Sequence, residues 1–261
     1  MTVAFALTLL TLGFVGAFVA GLLGVGGAIV MIPLLLYAPP LLEVGTLDVK
    51  AVAGVTMTQV LVAATSGMVA HRRHRAVSPE LARAGGFAMA AGSLAGALAS
   101  SHVHDRWLLL VFALMVTAAA LLMFVPTDDV DPAGDPRSLT FSRSRAALVS
   151  GGVGVAAGLV GAGGAFLLVP LLLVVVGVPI RVTIGSSLAI AAMAATTGFL
   201  GKLVTGQIPL FPTLAVVVGA APGAQLGAAV SRRVPPLGLR VTLFVVIATT
   251  AIKVWLDLLR R

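Results

Sequence analysis

Apolar residues run along this chain in long uninterrupted stretches, separated by short clusters of charge, proline and glycine. Eight such stretches lie near residues 3–38, 50–70, 83–101, 107–125, 146–178, 182–202, 209–230 and 240–259. A helix that crosses a bilayer needs about 20 apolar residues, which fits six of the eight. The first and fifth are too long. As single helices at ~1.5 Å per residue they would reach roughly 50 Å, against a hydrocarbon core of about 30 Å. The pattern predicts an all-α polytopic membrane protein whose first and fifth segments are interrupted.

The interruption is visible, and it occurs twice. The first segment reads Gly21-Leu-Leu-Gly24-Val-Gly26-Gly27, followed six residues later by Pro33-Leu34. The fifth reads Gly158-Leu-Val-Gly161-Ala-Gly163-Gly164, followed by Pro170-Leu171, so every Gly and Pro matches at an offset of 137. Downstream the register continues at an offset of 131: Gly54 aligns with Gly185, Thr65-Ser66 with Thr196-Thr197, and Gly92 and Gly96 with Gly223 and Gly227. The chain is therefore read as two copies of one unit, residues 1–125 and 146–261. A hydrophilic linker, 126–145, joins them and carries Asp128, Asp129, Asp131, Asp135, Pro132 and Pro136.

Four glycines within seven residues weaken a helix at that point. In lipid, open backbone is tolerated only where it is buried in protein or lines a cavity. The expected form is a re-entrant pair of half-helices of about 13 residues each. Their second members would start at Gly26-Gly27 and Gly163-Gly164. Helix N-termini carry free N–H groups and partial positive charge, so both tips suit an anion. The alternative is that the glycines only allow helices to pack closely.

Composition agrees with the pattern. Hydrophobic residues make up 59% and charged residues 10%, and the mean hydropathy is +1.12. Soluble domains, at about 25% charged, are excluded, as are disordered chains and nucleic-acid binders. The net charge of +8 belongs to basic loops that orient a membrane protein. With no cysteine there is no disulfide, thiolate metal site or thiol nucleophile. Residues 1–12 carry no basic residue ahead of the apolar run, so the first segment is read as retained and not as a cleaved signal.

Charge does not choose between topologies. If all eight segments cross, the halves are parallel; if the first and fifth are re-entrant, three crossings per half make them inverted. With the basic loop His71-Arg72-Arg73-His74-Arg75 in the cytoplasm, either arrangement leaves eleven Lys and Arg inside and six outside. Length and the duplicated break favour inversion.

All nine carboxylates and all four histidines lie in loops or at segment ends. A proton relay through the membrane interior is therefore not expected, nor is a metal site. The polar groups left inside the segments are hydroxyls and amides, which donate to anion oxygens without burying a charge. Thr56, Gln59, Thr65, Ser66, Ser186, Ser187, Thr196, Thr197 and Gln225 are the side-chain candidates, beside Gly24, Gly26, Gly27, Gly161, Gly163 and Gly164 at the tips. Lys202 is expected to snorkel to the interface. Gly92-xxx-Gly96 and Gly219-xxx-Gly223-xxx-Gly227 are faces for close helix contact, within the bundle or between two copies in a homodimer.

The duplicated Gly-x-x-Gly-x-Gly-Gly with Pro-Leu six residues on, in about 260 residues of two matched halves, resembles the TauE/SafE family of sulfite exporters and organosulfonate permeases. The resemblance covers the chain outside the linker. It implies a secondary transporter in a bacterial plasma membrane, with no cofactor and no nucleic-acid partner. Its cargo would be a small sulfur-containing anion such as sulfite, thiosulfate, sulfoacetate or another organosulfonate. A passive anion channel is the alternative within transport. An intramembrane serine hydrolase using Ser186 or Ser187 lacks a histidine base in any segment.

Overall fold

The structure, a computed structural model, describes residues 2–23, 27–71, 78–125, 141–231 and 236–260. Among these there are helices and no strands. The order is α1 (Val3–Leu23), α2 (Ala28–Leu41), α3 (Val49–His71), α4 (Pro79–Ala99) with a 3-10 turn (Ser100–His102), and α5 (Asp105–Leu122). Then follow α6 (Arg143–Val160), α7 (Ala165–Leu171) with a π-helical turn (Leu172–Val176), α8 (Ile180–Val204), α9 (Leu210–Ser231) and α10 (Pro236–Arg260). Five described helices are long and apolar enough to cross a membrane: Val3–Leu22, Pro79–His102, Asp105–Leu122, Gly185–Val204 and Leu210–Val230. Large apolar side chains on the outside, such as Phe87, Trp107, Leu148 and Phe211, suit contact with lipid tails. Residues 126–140, most of the expected linker, lie outside the described residues.

Both long segments are broken, and each folds back on itself. Gly16 of α1 lies against Met31 of α2, and Gly164 lies against Val153 and Ala157 of α6. The arms are unequal, at 21 and 14 residues in the first hairpin, and 18 and 7 plus the five-residue turn in the second. They are not pairs of about 13. The reason is that nothing interrupts the apolar run before Gly24 or Gly161, so the leading arm extends to nearly a full crossing.

Glycine sets the packing between the halves. A Cβ at Gly13 or Gly21 of α1 would strike the carbonyls of Val216 or Ala224 in α9; one at Gly219, Gly223 or Gly227 would strike those of Leu10, Phe14 or Phe18. The same reciprocal contact joins α4 and α6, where Gly92 and Gly96 meet Gly151 and Val155, while Gly154 and Gly158 meet Met89 and Ser93. Such close approach lets backbones pack where lipid supplies no hydrophobic drive. These faces are consumed inside the bundle, which corrects the expectation that they could join two copies: Gly92, Gly96, Gly219, Gly223 and Gly227 are already covered.

The contacts also fix directions. In the α1–α9 and α4–α6 pairs the residue numbers rise together, so each pair runs the same way. α4 and α8 do likewise, through Gly85–Ile190, Gly86–Met193, Ala90–Thr197 and Ala97–Gly201. α3 runs against α8, with Met57 at Gly198 and Gly54 at the backbone of Gln207 beyond the end of α8. α3 is thereby enclosed, packed against α8 on one side and α9 on the other.

Candidate functional site

The two breaks meet at the middle of α3. Gly27 caps α2 in the left-handed conformation (φ 66°), and Gly164 caps α7 in the same way (φ 70°). The carbonyl of Gly27 accepts from Val30 and Met31, and that of Gly164 from Leu167 and Leu168. Only glycine takes this conformation without a steric penalty. Neither capping residue offers a side-chain acceptor to the leading N–H groups of α2 and α7.

A Cβ on Gly27 would stand 3.3 Å from Gln59 Nε2. One on Gly163 would collide with Val60, the next residue of α3. Gly161 lies against the Ala53 carbonyl, two turns back along α3. Residues 53, 56 and 60 follow helical spacing, so Thr56 stands on the face pressed by the second break.

The polar groups here lack partners. Thr56 and Gln59 are fully buried, and Thr56 Oγ1, Gln59 Nε2 and Gln59 Oε1 have no hydrogen-bond partner among the described residues. A buried polar atom left unpaired costs about 1–3 kcal/mol. Three such atoms lie on one helix turn, where buried polar groups are ordinarily hydrogen-bonded. Ser93 of α4 belongs with them: its hydroxyl is buried and unpartnered, and it lies 2.5 Å from the position of a Gly198 Cβ, as does Met57 Cε of α3.

The other candidates are placed elsewhere. Thr65 and Thr196 are exposed, their hydroxyls donating to their own helices at Leu61 and Ala192. Thr197 donates across to the Ala90 carbonyl at 2.8 Å and ties α8 to α4. Gln225 is exposed on the outer face of α9. Ser186 is buried, but its hydroxyl accepts from the Ser78 amide at 3.1 Å, anchoring the start of α4. Ser187 is buried too, eleven residues from the Gly198 contact and so roughly 16 Å along α8. Gly24, Gly26 and the side chain of Ser66 lie outside the described residues.

Lys202 overturns an expectation. It does not snorkel; it is fully buried and donates to Ser100 Oγ at 2.7 Å, Leu159 O at 3.0 Å and Gln207 Oε1 at 3.0 Å. Those acceptors gather at the common end of α4, α6 and α8, and they hold the ammonium inward. Two further residues escaped the sequence reading. Ser150 is buried and unpartnered where the first half has Gly13. Thr250 of α10 donates to the Ile29 carbonyl at 3.3 Å. That carbonyl is free because Pro33, four residues on, has no N–H to offer it. The proline was legible, but the hydroxyl that answers it comes from the far end of the chain.

Comparison with known proteins gives the bundle its context. A family profile described as "Sulfite exporter TauE/SafE" matches residues 9–254. The chain is 26% identical over 240 residues to "Probable membrane transporter protein YunE" of Bacillus subtilis (strain 168), covering 86% of this chain and 88% of that protein. It is also 26% identical over 236 residues to "Probable membrane transporter protein YdhB" of the same organism, covering 88% and 92%. A "Probable membrane transporter protein" of Xylella fastidiosa (strain Temecula1) is 31% identical over 176 residues, or 67% of this chain and 65% of that one. No solved structure matches this chain. The profile spans both glycine breaks, running from within α1 to within α10. The protein is an integral plasma-membrane transporter, not an enzyme, and the chain belongs to the sulfite exporter TauE/SafE family.

Proposed function

We propose that this transporter is a secondary carrier that moves a small sulfur-containing anion (sulfite, thiosulfate, sulfoacetate or another organosulfonate) and holds it where the two breaks meet α3. The observation that carries the reading is Gln59, fully buried with neither amide atom partnered among the described residues and its Nε2 beside Gly27 at the head of α2. A sulfur oxyanion offers several oxygens that each accept hydrogen bonds. The Gln59 amide, the Thr56 and Ser93 hydroxyls and the leading N–H groups of α2 would supply neutral donors, with the helix terminus adding partial positive charge. The Gly161–Gly164 loop forms the opposite wall. The sulfur chemistry comes from the family.

We also infer that residues 1–125 and 146–261 are inverted repeats joined by 126–145. α3 and α8, paired by sequence at an offset of 131, run in opposite directions. The α1–α9 and α4–α6 contacts exchange equivalent partners between the halves, as inversion requires.

The test is Gln59→Leu in purified protein, with binding of sulfite, thiosulfate and sulfoacetate followed by calorimetry. Losing an amide donor to a bound charge costs about 1.5–3 kcal/mol, or roughly one to two decades of affinity. Folding stability should hold or rise, because an unpaired buried amide is removed. Unchanged binding of every anion would sink the site.

A further inference from the structure

We infer that Lys202 sets the charge selectivity of this transporter: it is the fixed buried cation whose field favours an anion at the α3 site. The inference rests on the functional reading above and adds to it a specificity-determining residue outside the site itself.

The nitrogen has the geometry of an ammonium. Leu159 O and Gln207 Oε1 can only accept, and the Ser100 hydroxyl has the Ala97 carbonyl at 2.6 Å and Gln207 Oε1 at 3.1 Å to take its proton, so it too accepts from Lys202. Three acceptors around one nitrogen require three N–H donors, which only the charged form has.

The charge has no acidic partner. Among the described residues the one ion pair joins Arg143 and Glu80, both at the surface, and every acceptor on Lys202 is neutral. A second cation is close by. Lys50 Nζ donates to the carbonyl of Ser101 at 2.7 Å, next to the Ser100 that holds Lys202. Removing an ion from water is expensive. Here the cost is offset by the Leu159 carbonyl at the end of α6, by the Ser100 hydroxyl and by the Gln207 amide oxygen, beside the C-terminal ends of α4 and α8, and the net unit charge remains.

Its position relative to the site follows from two contacts. Lys202 holds Leu159, two residues before Gly161, which lies on Ala53. It also holds Gln207, whose backbone lies on Gly54. Thr56 is less than one turn beyond both. The ammonium is thus roughly 10 Å, or two helical turns, from the donors proposed to take the anion. At that separation, with an effective dielectric of about 20, removing one charge weakens a monoanion about ten- to twenty-fold, and a dianion by roughly the square of that factor. A merely structural loss would weaken both anions by the same factor.

The experiment compares methanesulfonate, a monoanion, with thiosulfate, a dianion, by calorimetry on full-length protein carrying Lys202→Met, Lys202→Arg or the double change Lys202→Met with Gln207→Lys. The expected result is a loss for Lys202→Met at least five times larger for thiosulfate than for methanesulfonate. Both changes that return a cation to the network should recover the discrimination. If Lys202→Met does not fold, Lys202→Arg and the double variant, compared with Lys202→Gln, carry the same test. Equal losses for the two anions, or discrimination that no restored cation recovers, would overturn the inference. Gln59→Leu separates the two readings. If it abolishes binding while Lys202→Met leaves the dianion preference intact, only the selectivity role fails. If Gln59→Leu leaves binding intact, or the unmodified protein binds neither probe, the site fails and the selectivity role with it.

Discussion

Gly161 and Gly177 have the same backbone conformation, φ 75°, in very different surroundings. A Cβ on Gly177 would meet nothing within 4 Å, whereas one on Gly161 would run into the Ala53 carbonyl and the backbone behind it. Alanine at either position therefore incurs the left-handed penalty of about 1–2 kcal/mol. Gly161→Ala adds overpacking against rigid backbone, typically about 1–3 kcal/mol, because α3 must move and no side chain can turn aside. The total, roughly 2–5 kcal/mol, is a large part of a stability of about 5–15 kcal/mol. The displaced turn is also the one that carries Thr56. Thermal unfolding in detergent should rank the wild type above Gly177→Ala and Gly177→Ala above Gly161→Ala. Uptake of sulfite or thiosulfate into proteoliposomes should be near normal for Gly177→Ala and at least ten-fold reduced for Gly161→Ala at equal inserted protein. If the two variants lose stability and uptake in parallel, the second break does not act by pressing on α3, and the two-walled site is wrong.

Other outcomes are expected. Thr56→Val removes an unpartnered buried hydroxyl, so it should unfold at the same or higher temperature while binding thiosulfate about ten-fold more weakly by calorimetry. Thr65→Ala, Thr196→Ala and Gln225→Ala alter exposed groups and should leave uptake within two-fold of wild type; a larger loss from any of them would place the path elsewhere. Gly223→Leu, facing the carbonyl of Phe14, should fail to give a monodisperse folded protein on size-exclusion chromatography, whereas a role between copies would give a folded monomer. Counter-flow should separate a carrier from a channel: vesicles preloaded with the transported anion should accumulate labelled anion transiently.

The helical class and the two breaks were readable because lipid enforces them. Segment length is set by bilayer thickness, and a cluster of glycines within such a segment must be accommodated somewhere. Gln59, an amide in an apolar run, is buried. Gln225 looked identical by that criterion and is exposed. What distinguishes it is its place two residues after Gly223, about 200° around α9 from the face that meets α1, and that face is known only once its partner is known. Thr65 and Thr196 look like donors in sequence but satisfy themselves on the carbonyl four residues back. Lys202 was misplaced because position along a segment says nothing about radial direction. Its three acceptors come from the 3-10 turn after α4, from α6 and from the α8–α9 loop, and no local pattern announces that they converge.

The exchange of helix partners between the halves has a consequence for how the protein is made. Gly13 and Gly21 of α1 meet their partners Val216 and Ala224 only after roughly 200 further residues have been synthesised, which takes about 10–40 s at ordinary rates. During that interval α1 resides in the bilayer with its glycine face against lipid or a chaperone. The first half, finished alone, still lacks the contacts that hold both α1 and α4. The glycine faces of α4 and α1 are therefore covered only after α6 and α9, respectively, have been made.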